Sequence, residues 1–180
     1  MRIGLLLGSF DPIHMGHLYM ATSALNSDLV DEVVFVPSVQ NSWKKNSSGF
    51  RNRCIMVQLA IDELENCQLS CIDRRTSAPH YTSNTLKLLQ EQYPNDELCL
   101  IVGADVVPNI KDWCEGDWIL ENFKLITVSR PGCENNNSDI SMMFDISSSH
   151  IRDLVKDGKQ VYPLVPKVVS QCIKRFGLYE

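Results

Sequence analysis

The chain has 180 residues, 44% of them hydrophobic and 22% charged, with a formal net charge of -5. That length suits one domain, residues 1–180, able to bury its own core without disulfides or a structural metal, and the composition excludes a disordered or fibrous chain. The acidic balance excludes a broad surface for a nucleic-acid backbone, while a local basic pocket for a small anionic ligand stays open.

Apolar runs of strand length fall at 2–7, 32–36, 68–72, 97–102, 124–128 and 142–146, with segments of helical period between them. One helix is expected to begin close to His14, and a second to span 50–66, with Met56, Leu59, Ala60 and Leu64 on its buried side and Arg53 in its first turn. A third starts near Thr82, and the last carries Val165, Val168, Val169, Cys172, Ile173 and Phe176 at helical spacing with Pro166 in its first turn. Strands alternating with helices predict an α/β fold, a parallel sheet covered on both faces, with ligands beyond the carboxyl ends of the strands. Three loops are unlike simple connectors: 37–49 with Trp43, Lys44 and Lys45, 103–113, and the polar 130–139.

Seven cysteines are scattered without a CxxC pair and read as buried thiols of a reducing compartment. A basic segment followed by a long apolar stretch and a cleavage site is not seen, nor an apolar run of membrane-spanning length, so a cytoplasmic protein with no membrane partner is expected.

The first strand runs into GSFDPIHMGH, which places His14 and His17 on one face of a helix's first turn. Helix starts present free N–H groups and partial positive charge, so this turn suits phosphate. Gly16 would let a ligand approach the backbone. Packing on the sheet is the plainer explanation for either histidine alone. Zinc would need a third ligand at a telling spacing, and none stands there; neither GxGxxG nor GxxxxGK[ST] occupies the turn. Near the other end, ISSSHIR opens a short helix in which Ser147, Ser148 and Ser149 read first as caps. Arg152 lies on the same face as Ser148, so hydroxyls, N–H groups and a guanidinium can converge on one polyphosphate.

GSFDPIHMGH resembles the HxGH motif of nucleotidylyltransferases, and ISSSHIR resembles their ISSTxxR motif. With RCIMVQLAI, YTSNTL, GAD followed by Trp113, RPG, and LVPKVVSQCIKRFGLY, the chain resembles bacterial-type nicotinate mononucleotide adenylyltransferases over nearly its whole length. The resemblance implies a Rossmann-like fold and adenylyl transfer from ATP to nicotinate mononucleotide, giving nicotinate adenine dinucleotide and pyrophosphate, with Mg2+ bound through the ATP phosphates. It implies ATP and nicotinate mononucleotide as partners, no nucleic acid, no metal held by protein side chains, and leaves a homo-oligomer open.

By position, the resemblance puts His14 and His17 at the α-phosphate, lined by Gly8, Ser9 and Phe10, and gives His17 transition-state stabilisation. Ser148, Ser149 and Arg152 match the clamp on the β- and γ-phosphates, Gly103 and Asp105 the contacts to the ATP ribose, and Lys44 and Arg53 the basic residues of the substrate side. Trp113 matches the aromatic that stacks on the pyridine, with the backbone of Tyr81, Thr82 and Thr85 near its carboxylate; Trp43 reads as a loop aromatic and Trp118 as helix packing. Ser149 replaces the family's threonine, Trp43 its usual histidine, and His80 and Asn84 its usual serine and acid. Rival readings are the same transfer to nicotinamide mononucleotide or phosphopantetheine, a catalytically silent nucleotide-binding module, and an aminoacyl-tRNA synthetase, which the missing KMSKS motif and short acidic chain disfavour.

Overall fold

Side chains alternate between two apolar clusters along each inner strand. A computed structural model describes residues 1–39, 48–131 and 138–180. Its strands are β1 (Arg2–Gly8), β2 (Glu32–Pro37), β3 (Cys67–Leu69), β4 (Glu97–Gly103), β5 (Lys124–Ser129) and β6 (Ile140–Ser141). Its helices are α1 (Met15–Asn26), α2 (Phe50–Ile61), α3 (Thr82–Gln92), α4 (Gly116–Asn122), α5 (Ser148–Lys156) and α6 (Lys167–Arg175), with 3-10 turns at Ile72–Arg75 and Val107–Asp112. Leu6, Val33, Phe35, Cys99 and Ile101 pack on one face with residues of α1, α2, α5 and α6. Ile3, Leu5, Val34, Val36, Leu98 and Leu100 pack on the other with α3 and α4. The period of two buries both sheet faces, as an all-parallel sheet requires.

The strand order is β3-β2-β1-β4-β5-β6, with every pairing parallel. From β1 the chain builds outward through β2 and β3, then returns to the other side of β1 and builds through β4, β5 and β6. This reversal leaves a crevice beyond the carboxyl ends of β1 and β4, where open α/β sheets bind ligands. Gly8 ends β1 and Gly103 ends β4, so the two glycines flank that crevice.

Four expectations differ from the structure. The last strand lies at Ile140–Ser141 and not at 142–146, because the Asp139 carboxylate takes both the N–H (2.7 Å) and the hydroxyl (2.8 Å) of Thr127 and so sets the pairing earlier. Met143, inside the expected strand, is 85% exposed. Helix α2 ends at Ile61 and turns Leu59 outward, since Arg53, Val57 and Ile61 share the inner face. Val168 and Phe176 lie outside the buried stripe of α6, which is Val169, Cys172 and Ile173. The cysteines also divide: Cys54, Cys99 and Cys172 are buried, whereas Cys71 and Cys114 are exposed.

Candidate active site

Beyond Gly8 the chain turns sharply through Phe10, whose φ of 49° lies in the left-handed region that a bulky residue rarely adopts. Such strain persists only where surroundings over-determine it. Here the buried Phe10 ring meets His17 edge-on at 4.9 Å and packs on Phe35 at 5.8 Å. Helix α1 then starts with His14 as its N-cap. The His14 N–H donates to Nδ1 of His17 at 3.2 Å, so Nδ1 is an acceptor and the neutral His17 ring carries its proton on Nε2. The two imidazoles stack with centroids 3.7 Å apart. A Cβ on Gly16 would stand 3.0 Å from His14 Nδ1. The glycine therefore makes room for the His14 ring, where sequence suggested room for a ligand.

Burial, reinforced by the positive charge of Arg130, pushes His14 down to about 3. His17 is held well below the ordinary imidazole range by burial first, then by His14 and Arg130. Both rings are neutral near pH 7, and His17 offers a neutral N–H donor. Nδ1 of His14 is buried without a hydrogen-bond partner.

Distant elements pin the 9–12 turn. Arg53 of α2, only 1% exposed, donates to the carbonyls of Ser9 (2.6 Å), Val39 (3.1 Å) and Ser48 (3.4 Å). From α5, Arg152 donates to the Asp11 carbonyl at 2.7 Å and Ser148 to the Pro12 carbonyl at 2.9 Å. Near the C-terminus, the Tyr179 hydroxyl donates to the Asp11 carboxylate at 2.7 Å, and the Ser48 hydroxyl donates to the same oxygen. The three serines of ISSSHIR thus have separate partners: Ser147 caps α5 by accepting from the His150 N–H, Ser148 reaches the turn, and Ser149 accepts from Arg152 at 3.1 Å.

A cavity of about 720 Å³ fills the crevice. Gly8, Ser9, His17, Gly103 and Arg130 line it toward the phosphate-suited turn, while Asp73, His80, Tyr81, Thr82, Thr85 and Trp113 line the other wall. A Cβ on Gly103 would collide with Asp105 Oδ1, which pairs with Arg130 Nη2 at 3.7 Å. Trp113 is half-buried at the end of the 3-10 turn, which is held by its own N–H donating to Ile110 O at 3.0 Å. Tyr81 is the N-cap of α3, so the first turn of that helix opens beside the cavity wall. The Thr85 hydroxyl donates to buried Asp73, which also accepts the Val39 N–H at 2.6 Å. Arg53, like Phe10, His14, Asp105, Ser148, Ser149 and Arg152, does not line this cavity; it braces the Ser9 turn from behind. Trp118 packs edge-on against Phe123 at 5.6 Å. Lys44, with Trp43 and Lys45, lies outside the described residues.

Arg130, Asp73, Asp11 and Tyr179 are absent from the residues singled out in sequence. Arg130 follows the end of β5, the position where ligand contacts concentrate in such sheets, and its RPG context was the available signal. The Asp11–Tyr179 contact joins residues 168 apart and leaves no local pattern. Among the described residues no group of three or more His, Cys, Asp or Glu side chains could hold a metal ion.

A parallel sheet with a strained turn, a helix start and neutral imidazole donors at its switch point defines a nucleotide-handling α/β protein. A family model described as cytidylyltransferase-like matches residues 5–154. The chain is 34% identical to the nicotinate-nucleotide adenylyltransferase of Bacillus subtilis, covering 99% of this chain and 98% of that protein. It is 38% identical to a protein of Tropheryma whipplei named as a probable nicotinate-nucleotide adenylyltransferase, covering 96% of each. Among solved structures, Plasmodium falciparum nicotinic acid mononucleotide adenylyltransferase complexed with NaAD shares the fold with a TM-score of 0.81, at 20% identity over 99% of this chain and 97% of that one. The chain belongs to the cytidylyltransferase-like family and, within it, to the nicotinate-nucleotide adenylyltransferases.

Proposed function

We propose that this chain catalyses attack of the 5′-phosphate of nicotinate mononucleotide on the α-phosphorus of ATP. An acceptor oxygen bonds to that phosphorus, its bond to the bridging oxygen breaks, and nicotinate adenine dinucleotide and pyrophosphate result. The observation that carries the reading is the His14 N–H donating to Nδ1 of His17, which leaves Nε2 to carry the proton on a ring that lines the cavity together with Arg130. Such a transfer asks the protein to orient reactants and to stabilise charge growing on phosphate oxygens. A neutral donor held in a partly desolvated wall does this without reorganising.

In this reading Gly8, Ser9 and Phe10 shape the α-phosphate site, His14 holds His17, and Ser148, Ser149 and Arg152 receive the outgoing pyrophosphate. Gly103 and Asp105 meet the ATP ribose, where a carboxylate accepts from hydroxyls. Trp113 stacks on the pyridine, and the first turn of α3 after Tyr81 presents N–H groups to its carboxylate. Lys44 is proposed at the phosphates on the family match alone.

The donor set near the turn is imidazole, hydroxyl and guanidinium, and the Asp11 carboxylate is engaged by Tyr179 and Ser48. This suits a Mg2+ that arrives on the triphosphate, where it would neutralise phosphate charge. Initial rates of pyrophosphate release from ATP with nicotinate mononucleotide, nicotinamide mononucleotide and phosphopantetheine test the reading. Nicotinate mononucleotide should be used best; negligible turnover with it overturns the acceptor, and no release with any of the three overturns the enzyme.

A further inference from the structure

A second cavity, of about 580 Å³, lies outside the active site and is lined by Arg51, Cys54, Cys71 and Arg74 among others. The Sγ atoms of Cys54 and Cys71 are 3.4 Å apart. One thiol is buried on α2, and the other is exposed on the segment that follows β3. Two thiols in contact need an approach of only about 1.4 Å to reach disulfide bonding distance. Exposure of just one of them sets an order of attack.

We infer that Cys54 and Cys71 form a reversible dithiol site that is closed to a disulfide by a small acidic disulfide, of which oxidised glutathione is the type. The flanking guanidinium groups of Arg51 and Arg74 fit the carboxylates of such a reagent. Cys71, as its thiolate, attacks one sulfur of the small disulfide and expels the first small thiolate. Cys54 then loses its proton and attacks Sγ of Cys71, expelling the second. The two protein protons leave on the two small thiols, so the protein is oxidised by two electrons and the reagent reduced by two. Burial, with the contact to Cys71, pushes the Cys54 thiol up to about 12, in keeping with its place as the second attacker.

The site adjoins the adenylyl-transfer cavity through Val39. Arg53, next to Cys54, holds the Val39 carbonyl, and Asp73, two residues beyond Cys71, holds its N–H. Asp73 also takes the Thr85 hydroxyl at the cavity wall. A covalent link between residues 54 and 71 therefore fixes the two arms of that clamp together.

The test treats the full chain with oxidised glutathione and with cationic cystamine, then measures intact mass, thiol count and peptide linkage. In the Cys114→Ser background, which removes the other exposed thiol of the described residues, the otherwise wild-type pair should lose two thiols and about two mass units, with a peptide joining Cys54 to Cys71. Cys54→Ser should stop at one glutathione on Cys71, and Cys71→Ser should not react at this pair. Glutathione should react at least about threefold faster than cystamine at low salt, and Arg51→Ala with Arg74→Ala should erase that preference. A product of the wild-type pair that stays at the single glutathione adduct, or no reaction, overturns the site; equal rates with the two reagents overturn the role of the arginines. The linkage to Val39 rests on the proposed reaction and is read separately, as a change in KM for nicotinate mononucleotide on oxidation that Cys71→Ser lacks. Identical KM values in a chain shown by mass to be closed overturn the linkage and leave the thiol result standing.

Discussion

The helices α1 and α5 both begin at the 9–12 turn, yet they are built on opposite principles. At the start of α1 the groups are two stacked, neutral imidazoles, with His14 only 6% exposed and its Nδ1 unpartnered. At the start of α5 the groups are hydroxyls and a guanidinium, Ser149 is exposed, and every named side chain already has a protein partner. Low dielectric makes a donor at α1 stronger toward growing charge, whereas the wet groups at α5 suit a charge that arrives and leaves. On the proposed reaction, one start suits a transition state and the other a leaving group.

The sharpest way to break that division is His17→Ala. Loss of a donor acting on the transition state should lower kcat by about thirty- to thousandfold, roughly 2 to 4 kcal/mol, with little change in KM for ATP. A kcat close to wild type would place the chemistry elsewhere in the cavity. Arg152→Ala should act the other way, raising KM for ATP by about ten- to hundredfold through the loss of a charge-assisted contact, with the fold intact. Arg152→Lys should recover little of it, because one side chain must reach both the Asp11 carbonyl and the Ser149 hydroxyl. If both variants changed kcat alone, α5 would belong with α1.

Acid separates the two regions without mutation. His14 sits near 3 in the folded chain against 6.5 for a free imidazole. Above pH 6.5 both folded and unfolded chains carry it neutral, and it adds no pH dependence. As pH falls below 6.5, the unfolded chain takes a proton that the folded chain refuses until about 3. Stability should therefore fall by up to about 1.4 kcal/mol per pH unit from this residue. Urea midpoints between about pH 6.5 and 5 should drop in wild type and drop less steeply in His14→Gln, where His17, also held below the ordinary imidazole range, keeps part of the slope. An unchanged slope in the variant would mean that the imidazole titrates normally in the fold.

How much of this was legible in the sequence follows from range. Strand alternation, helix starts and the placing of His14 and His17 depend on neighbours within a few residues, and five of the six strands fall where periodicity puts them. The sixth is set by Asp139 reaching Thr127 from a stretch that reads as polar loop. The buried Arg53 guanidinium serves three backbone carbonyls of separate segments, a role that no local pattern encodes. The Cys54–Cys71 contact was hidden for the same reason, since CxxC spacing detects only thiols close along the chain.

The smallest effect distinguishes serines that local pattern reads alike, as caps. Ser147 accepts from the His150 N–H and so caps α5, while its neighbour Ser148 donates to the Pro12 carbonyl. Ser147→Ala should cost about 1 kcal/mol, lowering the thermal midpoint by roughly 2 to 4 °C, and should leave KM for ATP unchanged. Ser148→Ala removes one of the two ties between α5 and the turn and leaves that of Arg152, so it should raise KM for ATP while costing no more stability than the cap. Thermal melts and ATP titrations on the pair read both quantities. If the effects were exchanged, the cap would be the phosphate contact, and the start of α5 would bind its ligand as α1 does, through the first residues of the helix itself.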